Sequence, residues 1–163
     1  MKTLPEKIVF GGGCHRCTEA VFQALRGVSD VAQGFVRSTP PDDAWSEAVI
    51  VTFDPSLIDG TTLIEIHLRT HANTSPHKFR GNYRSAVYVF DDKQRIRAER
   101  DLQEIQAGLE EMLVTQVLSY EGFKPSDARF QNYYATDPER PFCRTYIDPK
   151  LQLLRKQFLG HVS

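Results

Sequence analysis

Residues 7–25 read KIVFGGGCHRCTEAVFQAL. The apolar run 7–10 suits a short buried strand that enters a glycine turn. From residue 14 to 26 the period changes. Cys14, Cys17, Val21, Ala24 and Leu25 fall at the i, i+3, i+4, i+7 spacing of one buried helical stripe. Gly27 suits the position just past the helix end. This order of strand, glycines and helix puts Cys14 at a helix N-terminus, where unpaired N–H groups and the helix dipole favour an anion. Thiolate is then favoured over thiol. Arg16 and a protonated His15 act in the same sense, and Gly11, Gly12 and Gly13 let the backbone approach closely.

Working outward, 28–36 reads as a strand and STPPDD (38–43) as a proline-marked loop. AWSEAVIVTFDP (44–55) is a strand with two apolar faces, hence interior. Residues 61–70 suit a helix, 83–90 a strand, 92–113 a long helix, 114–120 a strand and 148–158 a short helix. Residues 121–147 read as irregular, rich in aromatics and proline. Strands and helices mix without strict alternation, which predicts an α+β, two-layer α/β sandwich with an irregular C-terminal tail.

The chain has 163 residues, 20 basic and 21 acidic, a formal net charge of −1 and three cysteines. This suits a single domain over 1–163. No apolar run approaches the ~20 residues of a membrane span, and the charge balance gives no nucleic-acid footprint. Three cysteines without a secretory signal read as cytoplasmic thiols, where Cys-x-x-Cys marks redox or metal chemistry. Metal is not expected: a zinc site takes about four ligands, and no second paired motif accompanies His15, His67, His71, His77 and Cys143. Cys17 lies on the apolar stripe, as a packed core thiol or as a resolving partner for Cys14.

Glu47 sits mid-strand among Trp45, Val49, Val51 and Phe53. A carboxyl group in apolar surroundings keeps its proton more readily than in water, which a general acid requires. The alternative is an edge glutamate facing water. Tyr83 stands before the strand 83–90.

These residues resemble a known family. GGGCHRCTEAVFQALRGV is similar to the glycine–cysteine–phenylalanine–tryptophan signature of peptide methionine sulfoxide reductase A. EAVIVTFDP, YRSAVY, VTQV and FQNYYATDPERPFCRTYIDPKLQLLRKQF follow in the family's order. The resemblance implies a plait with a ferredoxin-like core and a monomer that reduces the S-epimer of methionine sulfoxide, free or in proteins. It implies no bound cofactor, with thioredoxin or another dithiol as reductant, and no nucleic-acid or membrane partner. Cys14 matches the nucleophile, Glu47 the proton donor and Tyr83 a site tyrosine. Cys17 and Cys143 are the candidate resolving thiols.

Departures gather at the substrate pocket, for which His15, Arg16, Trp45, Phe35 and Phe130 are the candidates. His15 and Arg16 replace the aromatic cradle of the sulfoxide methyl group. The loop before Glu47 is shorter than the family's, Trp45 and Phe130 replace histidines, and the stretch from His71 to Tyr83 has no aspartate. Two other readings follow from the same residues. One is a dithiol exchange site using Cys14 and Cys17. The other is a non-catalytic anion-binding descendant, with a cationic mouth of His15, Arg16, Lys78, Arg80 and Arg84.

Overall fold

The computed structural model describes residues 4–12, 14–70, 84–110 and 113–163. Six strands, β1 (Glu6–Gly11), β2 (Val28–Arg37), β3 (Ser46–Phe53), β4 (Ala86–Val89), β5 (Gln116–Ser119) and β6 (Gly122–Pro125), form one sheet in the order β5-β4-β1-β3-β2-β6. The β4–β5 pair is parallel and the other pairs are antiparallel. With helices α1 (His15–Gln23), α2 (Gly60–Thr70) and α3 (Asp92–Ala107), the architecture is the mixed α+β one that the pattern predicts.

β3 lies inside the sheet, as its two apolar faces require. Val49, Val51 and Phe53 pack on the helix side with Phe10, Phe22, Leu63 and Ile66. Ala48 points the other way, into a smaller cluster with Val9, Val36, Ala86 and Tyr88. β5 and β6 hold opposite edges of the sheet, yet only Tyr120 and Glu121 separate them along the chain. The Tyr120 N–H donates to the Val89 carbonyl over 2.9 Å and the Glu121 N–H to that of Arg37 over 3.0 Å. The sheet must therefore curl until its edges approach, and Tyr120 and Phe123 pack against the smaller cluster.

α1 has little solvent face: His15, Cys17, Thr18, Glu19, Ala20, Val21 and Phe22 are all buried. The sheet covers one side and the C-terminal segment the other. The Glu19 carboxylate accepts the N–H groups of Asn132 (3.0 Å) and Tyr133 (3.2 Å), and Gln23 donates to the Asn132 side chain over 2.8 Å.

Several boundaries differ from the sequence expectation. α1 ends at Gln23 because Leu25 bridges to Val162 and the Arg26 N–H goes to the His161 carbonyl, 2.8 Å away. Gly27 lies beyond, at φ +92°, in the turn into β2. α3 stops at Ala107 with Gly108 as its cap, and Trp45 stands just before β3. Residues 121–147 are not wholly irregular. They hold β6, a 3₁₀ turn (Ala128–Phe130), α4 (Tyr133–Thr136) and a π-helical turn (Cys143–Ile147), which runs into α5 (Asp148–Gln157). A four-residue strand of glycine, phenylalanine, lysine and proline carries no readable period. Among the described residues, no helix is long and apolar enough to cross a membrane.

Candidate active site

β1 ends in the glycine turn, and Cys14 follows as the N-cap of α1, with extended backbone (φ −74°, ψ 127°). Its carbonyl accepts the N–H groups of Cys17 and Thr18, each at 3.2 Å. Arg16 Nε donates to Cys14 Sγ over 3.4 Å. The Cys14 thiol is lowered from its ordinary 9.0 to about 5. The main cause is a hydrogen bond from the Cys17 thiol. Burial opposes it, and the Arg16 guanidinium adds to it. The same hydrogen bond, together with burial, pushes Cys17 far up. At neutral pH the pair is thus a Cys14 thiolate beside a protonated Cys17. The helix start that favours an anion has been given one.

Glu47 lies opposite Phe35 of β2 on the helix side of the sheet. Its surroundings are not the apolar ones that the strand pattern suggests, because α1 brings His15 onto it. Glu47 Oε1 accepts the His15 backbone N–H at 3.2 Å and lies 3.2 Å from the ring Nε2. His15 Nδ1 is 2.8 Å from the Gly34 carbonyl, which can only accept, so Nδ1 carries a hydrogen. Glu47 and His15 form a close carboxyl–imidazole pair, with Phe35 edge-on to the imidazole at 5.2 Å.

The Arg16 guanidinium sits in an aromatic cage. Its carbon lies 4.0 Å from the ring centre of Phe142, 5.1 Å from Tyr133 and 5.5 Å from Phe130. Each such contact is worth about 0.5–2 kcal/mol, more as water is excluded. Admitting one methyl group would return about 0.8 kcal/mol, so the cage favours keeping Arg16.

The structure brings together Cys14, His15, Arg16, Cys17, Phe35, Glu47 and Phe130. Trp45 stands apart, under Arg37 (5.3 Å) and Lys124 (5.2 Å), and connects to Phe35 through Lys124, which is 5.4 Å from that ring. Cys143 is fully buried in the cluster that holds Cys17, its Sγ 3.6 Å from the Asp137 carbonyl, and burial pushes its thiol up. Arg84 does not belong to a cationic mouth: it is buried on the far face, donating to the Tyr88 hydroxyl at 3.2 Å. Tyr83, Lys78 and Arg80 lie outside the described residues. Sequence reasoning missed Phe142, Glu19 and Lys150. Lys150 donates to the Thr70 carbonyl, and burial lowers its pKa against the pull of Cys17 and Cys14. The density of aromatics in 130–146 was the available signal for the cage.

A family model described as peptide methionine sulfoxide reductase matches residues 6–161. The chain belongs to that family. MsrA of Chromobacterium violaceum is 33% identical over 94% of this chain and 96% of its own, and an MsrA of Thermus thermophilus is 32% identical over 95% and 97%. Among solved structures, reduced Mxr1 from Saccharomyces cerevisiae superposes with a TM-score of 0.70 at 17% identity, covering 87% of this chain and 91% of that one. Methionine sulfoxide reductase A of Corynebacterium diphtheriae gives 0.69 at 21%, covering 82% and 76%. At these identities the likeness is one of fold. In this member of the peptide methionine sulfoxide reductase family, a guanidinium in an aromatic cage stands beside Cys14.

Proposed function

We propose that the chain is a thiol-dependent oxidoreductase that reduces the S-epimer of methionine sulfoxide, free or in proteins. The observation that carries this is Cys14 as the N-cap of α1, with Arg16 Nε donating to its sulfur over 3.4 Å. Cys14 attacks the sulfoxide sulfur. The Glu47–His15 pair delivers a proton to the sulfoxide oxygen, and methionine leaves, with the oxygen retained on Cys14 as a sulfenic acid. Cys17 condenses with it, water departs and a Cys14–Cys17 disulfide forms. A thioredoxin-type dithiol then reduces it.

Cys17 is the resolving thiol in this reading, since it lies one turn along α1 from Cys14 with its N–H on the Cys14 carbonyl, whereas Cys143 is locked in the core. A yeast Mxr1 solved in complex with Trx2 resembles this chain in fold (TM-score 0.62) and supports thioredoxin as the reductant and protein partner. Tyr83 keeps its place as a site tyrosine on the family pattern alone. Trp45 is the outer pocket wall, with Phe35 and Phe130 nearer the thiol.

We read the chain as a monomer and as one domain over 1–163, the single domain being supported by the bridge from Leu25 to Val162. Its first four strands, in the order β4-β1-β3-β2 with α1 and α2 between them, support the ferredoxin-like plait. Three free thiols support a reducing, cytoplasmic setting.

Dithiol-coupled turnover of both sulfoxide epimers tests the function. Wild type is expected to consume the S-epimer, Cys14→Ser to be inactive, and Glu47→Gln to lose about 10²–10⁴-fold, the usual worth of general acid catalysis. Undiminished turnover by Cys14→Ser overturns it.

A further inference from the structure

Resting on the reading of Cys14 as the nucleophile, we infer that this site also reduces hydroperoxides, with Arg16 holding the peroxide oxygen against the Cys14 sulfur. The two reactions make different demands. A methyl sulfoxide needs an apolar wall for its methyl group beside the thiolate. Here a cation covers aromatic surface beside the thiolate: the guanidinium lies 4.0 Å from Phe142 and 5.1 Å from Tyr133. A hydroperoxide needs no methyl wall. It needs a thiolate, a fixed donor at the oxygen under attack and a proton for the departing oxygen. All three are present. Cys14 supplies the thiolate at a partly exposed position. Arg16 spends Nε on Cys14 Sγ at 3.4 Å, and its guanidinium, which has further N–H donors to offer, packs against three rings. Glu47 and His15, 3.2 Å apart, are the groups placed to give the proton.

The chemistry balances. The Cys14 thiolate attacks the terminal oxygen of ROOH, the O–O bond breaks, and RO⁻ takes a proton from the Glu47–His15 pair and leaves as ROH. Cys14 becomes the sulfenic acid. The Cys17 thiol attacks its sulfur, water leaves and the disulfide forms. An external dithiol returns both electrons, so ROOH and the dithiol become ROH, water and a disulfide. The sulfenic acid is the intermediate that sulfoxide reduction also creates, so the second half of the cycle is shared.

Rapid-mixing measurements on the reduced full-length chain test this. Oxidation of Cys14 is followed with cumene hydroperoxide or with a methyl sulfoxide, in wild type, Arg16→Met and Arg16→Trp, each rate being divided by the thiolate fraction measured from its ultraviolet absorbance. Arg16→Trp restores the residue type of the family signature and so serves as the variant compatible with the fold. Wild type is expected to react with the peroxide on the order of 100-fold faster than an unstructured cysteine thiolate, and both variants to lose most of that factor, the usual worth of one preorganised donor. Arg16→Trp should gain in sulfoxide reduction as it loses peroxide reduction, an opposite movement that a purely structural role for Arg16 does not produce. A wild-type peroxide rate equal to that of the unstructured thiolate, or per-thiolate rates unchanged in both variants, overturns the inference alone if sulfoxide is still reduced. A Cys14 inert toward both substrates overturns the underlying reading of the nucleophile.

Discussion

Arg16 Nε donates to the Cys14 sulfur across 3.4 Å, while the same guanidinium lies 4.0 Å above the Phe142 ring. One side chain thus does two things. It stabilises the thiolate electrostatically, and it covers the aromatic faces of Phe142 and Tyr133. A cation that serves the nucleophile at the expense of the substrate's methyl group points to chemistry kept and selectivity changed.

The first prediction concerns ionisation. Alkylation of Cys14 should rise with pH through a midpoint near 5, because the folded-state thiol is lowered from 9.0. Below the midpoint the thiol is protonated and slow; above it the thiolate is reactive. Replacing Cys17 by alanine removes the largest stabilising contact, so the midpoint should move up, and Arg16→Met should move it in the same direction. A wild-type midpoint near 9 contradicts the hydrogen-bond assignment.

The second separates the two candidate resolving thiols. Cys17→Ser should still release methionine in its first turnover but accumulate the sulfenic acid, visible by dimedone labelling. Cys143→Ala should form the Cys14–Cys17 disulfide normally, while losing about 1–2 kcal/mol of stability from a fully buried position. Sulfenic acid accumulating in Cys143→Ala instead would exchange the two roles.

The third tests the floor of the site. A Cβ on Gly34 would stand 2.3 Å from the Lys124 carbonyl and 2.7 Å from the Phe123 ring. The Gly34 carbonyl also anchors His15 Nδ1. Gly34→Ala should therefore part β2 from β6 and displace the imidazole. Urea unfolding should show a loss of about 1–3 kcal/mol or more, with sulfoxide turnover falling further than stability alone explains.

The fourth concerns Glu19, wholly buried beneath the C-terminal segment. Its carboxylate holds two backbone N–H groups at the start of α4. Glu19→Gln presents an amide N–H₂ to one of them, leaving a buried donor unpaired at a cost of about 1–3 kcal/mol. Since Tyr133 belongs to the Arg16 cage, the variant should also raise the Cys14 alkylation midpoint. Stability that matches wild type would show that the segment is held by other contacts.

The strand–glycine–cysteine–helix order was legible because one short stretch carries period, turn chemistry and nucleophile together. β3 was legible as interior because both its faces are apolar. What was not legible depends on contacts between distant segments. Nothing near Glu47 in sequence says that His15, from another element, will sit on its carboxyl group. Arg16 reads locally as a cation beside a thiol; its cage needs Phe130, Tyr133 and Phe142, brought there by a segment whose short turns carry no period. β6 escaped notice for the same reason, and it is what closes the curl of the sheet against β2.

The most direct measurement is a single turnover without external reductant. The reduced chain is mixed with excess S-methionine sulfoxide and quenched, free methionine is counted, and the cysteines are mapped by mass spectrometry. About one methionine per chain, a Cys14–Cys17 disulfide and a reduced Cys143 are expected. Methionine release with Cys14 still reduced, or no release from a chain whose Cys14 is alkylated readily at neutral pH, would contradict the proposed mechanism.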